Sequence, residues 1–437
     1  MATFYVDFVA GNDANAGTQA APWKNASKIN SDTIAGDTIL LQGGVTLTTD
    51  AAVTLKPTQT LGRYGTGYPI IDGHDTHNCI LMTALTGVTI QNIRCINTVN
   101  AEPTGSVNCI LTATSVGTLT MNDVQTYGGF VGFNIPTGVS GSGNVFTGCL
   151  FERAWSDNVD INGSAVITLN WCTLKDAGNG AAALGSEDNI SAHQTGTFTC
   201  NDCFFISGRR GPGLSVHTAG TCTFNRCFVK TDSSTDGNGR YVFGLDGTGT
   251  MVIENCVIII EGTTQQFVFR ARNGGIMTVT NNTIIVTNTS VAASAVFLAT
   301  GGSSSVMTCK NNTVYAQSGS NTKLADDVTY PVVALVANDN CYFPDGAAKF
   351  YLAGVAQASF AVWQVTHDAS SLATNPLIYN GLTPTSPADA RLTSASPCIA
   401  SGEAGLVTKD FHGRDRLPVG GNSDMGAIQY KQGYKGA

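Results

Sequence analysis

The chain has 437 residues, of which only 12% are charged, with 50 glycines and a net charge of −8. So few charges exclude a surface of amphipathic helices, which need long charged faces. A negative balance without a basic run excludes nucleic acid as a partner, and no apolar run of about 18 residues is present to span a membrane.

The N-terminal stretch MATFYVDFVAGNDANAG has neither a basic n-region nor a long apolar h-region, so no signal peptide is expected. The protein is therefore expected to be made in the cytoplasm and to leave it, if at all, by a non-standard route or within a virion. Residues 1–35 are expected to cap the open end of a sheet, an edge that would otherwise invite aggregation. GNDANAG has a superficial likeness to a calcium loop, but its Gly and Asn content reads as a cap turn.

From residue 36 to 345 one phrase recurs: apolar, any, Asn/Asp, Cys, any, apolar. It is spelled IQNIRC, MNDVQT, FTGCLF, LNWCTL, CNDCFF, FNRCFV, IENCVI, VTNNTI, CKNNTV and NDNCYF. The fourth letters stand at 93, 124, 149, 172, 203, 227, 256, 282, 312 and 341, in steps of 23 to 31 residues. A variable period in this range, with β-runs around a corner and no 3.6-residue periodicity, predicts a solenoid. The expected fold is all-β, a parallel β-helix of about 10–12 coils. Coils stack about 4.8 Å apart, so equivalent residues sit above one another. Asn92, Asp123, Asp202, Asn255, Asn281, Asn311 and Asn340 are expected to form a corner ladder of polar side chains. Beside it Cys149, Cys172, Cys203, Cys227 and Cys256 are expected to form a buried stack of reduced thiols, because parallel neighbours hold their Cβ atoms wider than a disulfide prefers. From 346 to 430 the phrase stops and prolines become frequent, which predicts an irregular C-terminal cap. Residues 431–437 read as a tail.

The repeats resemble those of the pectate-lyase-like superfamily. FYVDFVAGNDANAGTQAAPWKNASKIN with GDTILLQGGVTL and YPIIDG resembles its entry cap, and SPCIASG, DFHGRDRLP and SDMGAIQY resemble its closing segment. The resemblance implies a right-handed parallel β-helix. It implies function only as a class: polysaccharide lyases, glycoside hydrolases, phage tailspikes and non-catalytic surface proteins. The NTD, DD, GHG and RIK signatures of the pectin-hydrolase branch do not occur as a set, so no family catalytic motif carries over.

Register turns offsets into a surface map. Ten residues before successive markers stand Asn162, His193, His217, Asp246 and Arg272. Two residues earlier stand Asp160, Ser191, Ser215, Gly244 and Arg270. The result is a solvent-facing polar stripe two columns wide. Turns leading into it add Asp157, Glu187, Asp188, Arg209, Arg210 and Arg240, with Trp155 at its mouth as a sugar-stacking ring. Such a groove suits an extended polysaccharide, with Arg270, Arg272 and the turn arginines facing anionic groups.

Three readings stay open: a polysaccharide-cleaving enzyme, either lyase or hydrolase, a non-catalytic binder, and columns with a structural role alone. A lyase would use Arg209, Arg210 or Arg240 to neutralise a uronate and His193 or His217 as base. A hydrolase would pair Asp157 or Asp160 with Glu187 or Asp188, and Asp246 continues the same columns. A non-catalytic glycan binder, such as a trimeric tailspike or another virion component, would use the same stripe without cutting. In the plainest reading the columns are only stacking ladders. No metal or other cofactor is expected, although hard oxygens at Asp157, Asp160, Glu187 and Asp188 would suit calcium. Trp171, at a corner where Asn is usual, is expected to pack against a neighbour. HDAS (367–370) and DFHGRDR (410–416) read as cap turns.

Overall fold

The computed structural model describes residues 1–48, 51–82, 86–97, 107–112, 117–178, 188–193, 195–206, 214–216, 219–231, 240–262, 266–287, 294–300, 304–317, 320, 322–328, 335–416 and 422–430. Two compact units divide the chain, Met1–Phe198 and Thr199–Ala437. Each is a stretch of parallel β-helix, the all-β fold expected from the repeats.

One coil of the first unit shows how the sequence builds the fold. Asn144–Thr147 joins a first sheet, Gly148 turns the corner, Leu150–Glu152 joins a second sheet, and Val159–Ile161 joins a third. The next coil returns to the first sheet at Val166–Asn170. All three sheets pair in parallel register, Asn144 with Ile167, Leu150 with Thr173 and Val159 with Ile190. The residue offset is 23 in the first two sheets and 31 in the third. The wide turn between the second and third sheets absorbs the difference. In the second unit Thr221 pairs with Thr250, Phe228 with Val257 and Leu214 with Phe243.

The corner is where composition dictates conformation. Asn92, Asp123, Gly148 and Trp171 in the first unit are left-handed, with φ of 52° to 64°. So are Asp202, Arg226, Asn255, Asn281, Asn311 and Asp339 in the second. That region penalises a Cβ and favours Gly, Asn and Asp, which explains the repeated Asn/Asp letter.

The amide ladder stands one residue after the corner, which corrects the sequence expectation. In the second unit Asn282 Nδ2 donates to Asn312 Oδ1 at 3.0 Å, and Asn312 Nδ2 donates to Asn340 Oδ1 at 2.9 Å. The same oxygens receive the backbone N–H of the preceding coil: Cys256 N to Asn282, Asn282 N to Asn312, and Asn312 N to Asn340. Cys203, Cys227 and Cys256 fill this column in lower coils, as Cys149 and Cys172 do in the first unit. There the thiol donates to the carbonyl two residues back, for example Cys203 to Asn201 at 3.3 Å and Cys256 to Glu254 at 3.3 Å. The last register mark is therefore Asn340, not Cys341. In NDNC (338–341) three adjacent residues suit a corner, and Asp339 takes the left-handed position. All thirteen cysteines are buried and unbridged.

Trp171 is also corrected: it stands 63% exposed, because a corner side chain points outward. Inside the second unit Phe243, Phe269 and Phe297 stack coil upon coil at 5.4 Å, nearly parallel.

Helix α1 (Ala26–Asp32) buries Ala26 and Ile29 and packs on Val53–Leu55. GNDANAG is a tied turn in which Asp13 Oδ1 accepts from Lys24 N and Asn25 N. Helix α2 (Phe360–His367) closes the last described coil of the second unit, where His367 Nε2 meets Asp327 Oδ2 at 3.2 Å with both side chains fully buried. The DFHGRDR segment presents Arg416, whose guanidinium donates to Asn255 Oδ1 and to the carbonyls of Gly426 and Ala427. No helix among the described residues is long and apolar enough to cross a membrane.

Candidate active site

In the first unit the turn after Glu152 passes through Arg153 at φ 58° and folds Ala154 and Trp155 inward. Trp155 N donates to Gly129 O at 2.8 Å, and its ring is buried. It therefore offers no face to a sugar, which corrects its assignment as a stacking platform.

Asn158 then pins the chain. Its Nδ2 donates to Lys175 O at 2.9 Å and to Asn189 Oδ1 at 2.7 Å on the next coil. This lock brings Asp157 and Asp188 to equivalent places on consecutive coils. Asp188 N donates to Asp157 Oδ1 at 2.7 Å, and Ser156 Oγ donates to Asp157 Oδ2 at 3.0 Å. Both Asp157 oxygens are thus engaged within the protein, so Asp157 shapes the field and is not a substrate-facing group. Burial pushes its carboxyl well above the usual range, and the negative charges of Asp188 and Asp160 add to this.

Asp160 follows on Val159–Ile161, in register with Asn134 below and Ser191 above. It is 8% exposed, so this part of the stripe is buried and not an open face. Asn162 Nδ2 donates to one of its oxygens, while Oδ1 is buried with no hydrogen-bond partner. Burial raises its pKa to about 6; the Asn162 hydrogen bond opposes the shift and the Asp188 charge adds to it. Two residues beyond Ser191, His193 hydrogen-bonds through Nε2 to Ser191 Oγ at 2.9 Å and donates its backbone N–H to Ile161 O. Asp157, Asp160, Asp188, Ser191 and His193 are therefore gathered on two neighbouring strands of the third sheet and the turns at their ends.

In the second unit the strands Arg240–Asp246 and Gln266–Arg272 place Gly244 beside Arg270 and Asp246 beside Arg272. Arg272 Nη2 pairs with Asp246 Oδ2, and Asn273 Nδ2 donates to Asp246 Oδ1. Asp246 is thus held in an ion pair with Arg272. Arg270 lies over the Tyr241 ring at 5.5 Å, and its Nε is buried with no partner. Burial and the nearby Arg272 lower its pKa. Glu187, Arg209, Arg210 and His217 lie outside the described residues, as does the side chain of Arg240. Among the described residues no three His, Cys, Asp or Glu side chains are grouped to hold a metal ion. Both Asp157 oxygens are engaged within the protein, and Glu187, the fourth member of the oxygen set that would suit calcium, lies outside the described residues.

No model of a known protein family matches the chain, and no curated protein matches it. Among solved structures, pectate lyase Pel9A is similar over 99% of this chain and 97% of its own, with TM-score 0.54 and 17% identity. The two share the parallel β-helix fold. A rhamnogalacturonan lyase matches with TM-score 0.44 and 14% identity over 78% of this chain and 87% of its own. A GH136 lacto-N-biosidase from Eubacterium ramulus matches with TM-score 0.42 and 13% identity over 80% of this chain and 68% of its own.

Sequence reasoning misses Tyr241. Its ring lies flat over Gly244, where an added Cβ would come within 2.1 Å of it. The only signal was a glycine inside an otherwise bulky strand, which marks a close approach. It also misses Asn134, whose Oδ1 is buried without a partner beside Asp160. Asn134 sits in the Asp160 column one coil earlier and was open to the same offset arithmetic.

Proposed function

We propose that this chain cleaves a polysaccharide, with Asp160 moving the proton. One observation carries the reading: a buried carboxyl among other carboxylates that keeps its proton to about pH 6 and has an oxygen with no protein partner. A proton held near the working pH is what general acid–base chemistry needs, and a buried oxygen without a protein partner is a polar group the fold itself leaves unsatisfied. The fold shared with pectate lyase Pel9A supports a carbohydrate substrate, and coils repeating every ~4.8 Å suit an extended polymer.

In a hydrolase, protonated Asp160 would donate to the leaving oxygen and Asp188 would act as the second carboxylate. In a lyase, ionised Asp160, with the Ser191–His193 pair beside it, would take the proton next to a uronate. Pel9A, which shares the fold, is itself a pectate lyase, and this favours keeping the second reading. The two differ in sign. Donation requires the protonated form, so activity falls as pH rises through about 6, whereas abstraction requires the ionised form, so activity rises through the same window.

The test incubates the protein with acidic and neutral polysaccharides and follows both reducing ends and the ultraviolet absorbance of unsaturated uronate. Asp160→Asn should abolish whichever signal appears. Undiminished activity in that variant sinks the assignment. Retention of a glycan by wild-type protein without either signal replaces the reading with the non-catalytic binder, of which a tailspike is one form.

A further inference from the structure

The second unit carries a cleft that none of these assignments uses. Tyr315, Asn375, Leu377, Ile378, Tyr379 and Leu382 line it, and its volume is about 190 Å³. Tyr315 belongs to Thr313–Ala316 of the second sheet, whereas Asp246 and Arg270 lie on the third. Three large apolar side chains that the fold leaves in water, Leu377, Tyr379 and Leu382, converge here, and Tyr379 is 64% exposed. Single exposed apolar residues need no explanation, but a cluster around one cleft does.

The cleft is built to hold its shape. Its inner wall, Tyr315, is buried in the core and stacks on Phe343 at 5.4 Å and 19°. The outer wall is a loop tied at several points. Tyr379 N donates to Arg391 O at 2.8 Å, and Ile378 bridges Leu392. The Asn380 side chain bonds to Thr383, and Asp389 accepts from Thr385 and Ser386. Arg391 lies over the Tyr379 ring, 4.6 Å from its centroid, while its Nε donates to Ala388 O. Leu377 at the lip is left-handed at φ 51°, a conformation a leucine adopts only where surroundings impose it, and such strain gathers at ligand clamps. Gly381 sets its backbone against Tyr315, where a Cβ would lie 3.1 Å from the ring.

The chemistry selects the occupant. The Tyr379 ring and three aliphatic side chains offer apolar contact, and the polar lining is amide and hydroxyl, with the Arg391 guanidinium 4.6 Å from the Tyr379 centroid. Asp389, the nearby carboxylate, is already engaged by its own turn. A ring with one apolar face and a rim of hydroxyls fits this set. At this volume, below the roughly 300–1,000 Å³ of drug-sized sites, a single ring is accommodated. We propose that the Tyr315–Tyr379 cleft is a non-catalytic binding subsite for one pyranose unit, which stacks on Tyr379. As a holding point for the same polymer it deepens the polysaccharide reading, but its chemistry does not depend on where cleavage occurs.

The test uses the full chain carrying Asp160→Asn, so that polymer is bound without being cut, in affinity gels cast with polygalacturonate, xylan or hydroxyethyl cellulose. Retardation is expected in at least one gel and should weaken roughly two- to twelvefold when Tyr379→Ala is added. Leu382→Ala should weaken it less. Retardation that ignores Tyr379→Ala overturns the subsite, as does its absence from every gel. Retardation lost in Tyr379→Ala while wild-type protein cleaves nothing upholds the subsite and sinks the cleavage reading. Cleavage without retardation does the reverse.

Discussion

Asn312→Ala tests the column that sets the register of the second unit. Asn312 is fully buried. Its Nδ2 donates to Val279 O at 2.8 Å and to Asn340 Oδ1 at 2.9 Å, and its Oδ1 accepts from Asn282 N and Asn282 Nδ2, each at 3.0 Å. Truncation leaves the groups unequally harmed. Asn282 Nδ2 still donates to Ile253 O, and Asn340 Oδ1 still accepts from Asn312 N. The Asn282 backbone N–H is left without its acceptor, at a cost of about 1–3 kcal/mol, and the other bonds lost cost about 0.5–1.5 kcal/mol each. The expected destabilisation is about 4 kcal/mol. Asn312→Cys should recover about half of it, because thiols fill this column in lower coils and reach nearby carbonyls. Unfolding of a stacked-coil protein need not be two-state, so urea titration should be paired with native-state hydrogen exchange read at Asn282 and its neighbours. An alanine variant within about 1 kcal/mol of wild type, or a cysteine variant no better than alanine, refutes the argument.

Other outcomes follow from the same structure. Asp160 holds its proton to about pH 6 when folded, against 3.8 when unfolded. The folded chain therefore binds more protons between these values, and stability falls as pH rises through the window, by up to about 3 kcal/mol. Asp160→Asn should make the slope in melts taken from pH 4 to 7 shallower, the remainder coming from Asp157 and Asp368, whose carboxyls burial also raises; an unchanged slope contradicts it. Arg416, buried and held at a pKa of about 10 by burial, ties the closing segment to Asn255. Arg416→Ala should cost about 3–5 kcal/mol by urea titration, with little rescue from lysine, which lacks the fork of donors. A loss below 1 kcal/mol would show that the segment is held elsewhere. Trp171→Asn should stabilise by about 1 kcal/mol, because tryptophan gains little at an exposed left-handed corner that asparagine tolerates. A lowered melting temperature would mean that the ring makes an energetic contact.

The corner phrase made the fold legible, because a left-handed residue followed by an inward side chain leaves a narrow choice of letters. The pairings of Asp160 with Ser191 and of Asp246 with Arg272 could be counted from it. What offsets could not give was the path of the wide turns. Asp157 and Trp155 looked like groove residues by position, yet the chain reverses at Arg153 and buries both. Tyr241 covering Gly244 is a matter of one rotamer, and no period encodes it. The Tyr379 cleft lies beyond the last repeat, where spacing carries no information.

The division of labour within a coil also has a genetic consequence. Register is enforced at a corner only a few residues long, while the turn between the second and third sheets took eight more residues in one coil than the sheets before it, 31 against 23, without disturbing the pairing on either side. Lengthening or shortening that turn is thus nearly invisible to the scaffold. Because the same turn delivers Asp157 and Asp188, small insertions and deletions there can reshape the surroundings of Asp160 while the column of corners keeps the molecule folded.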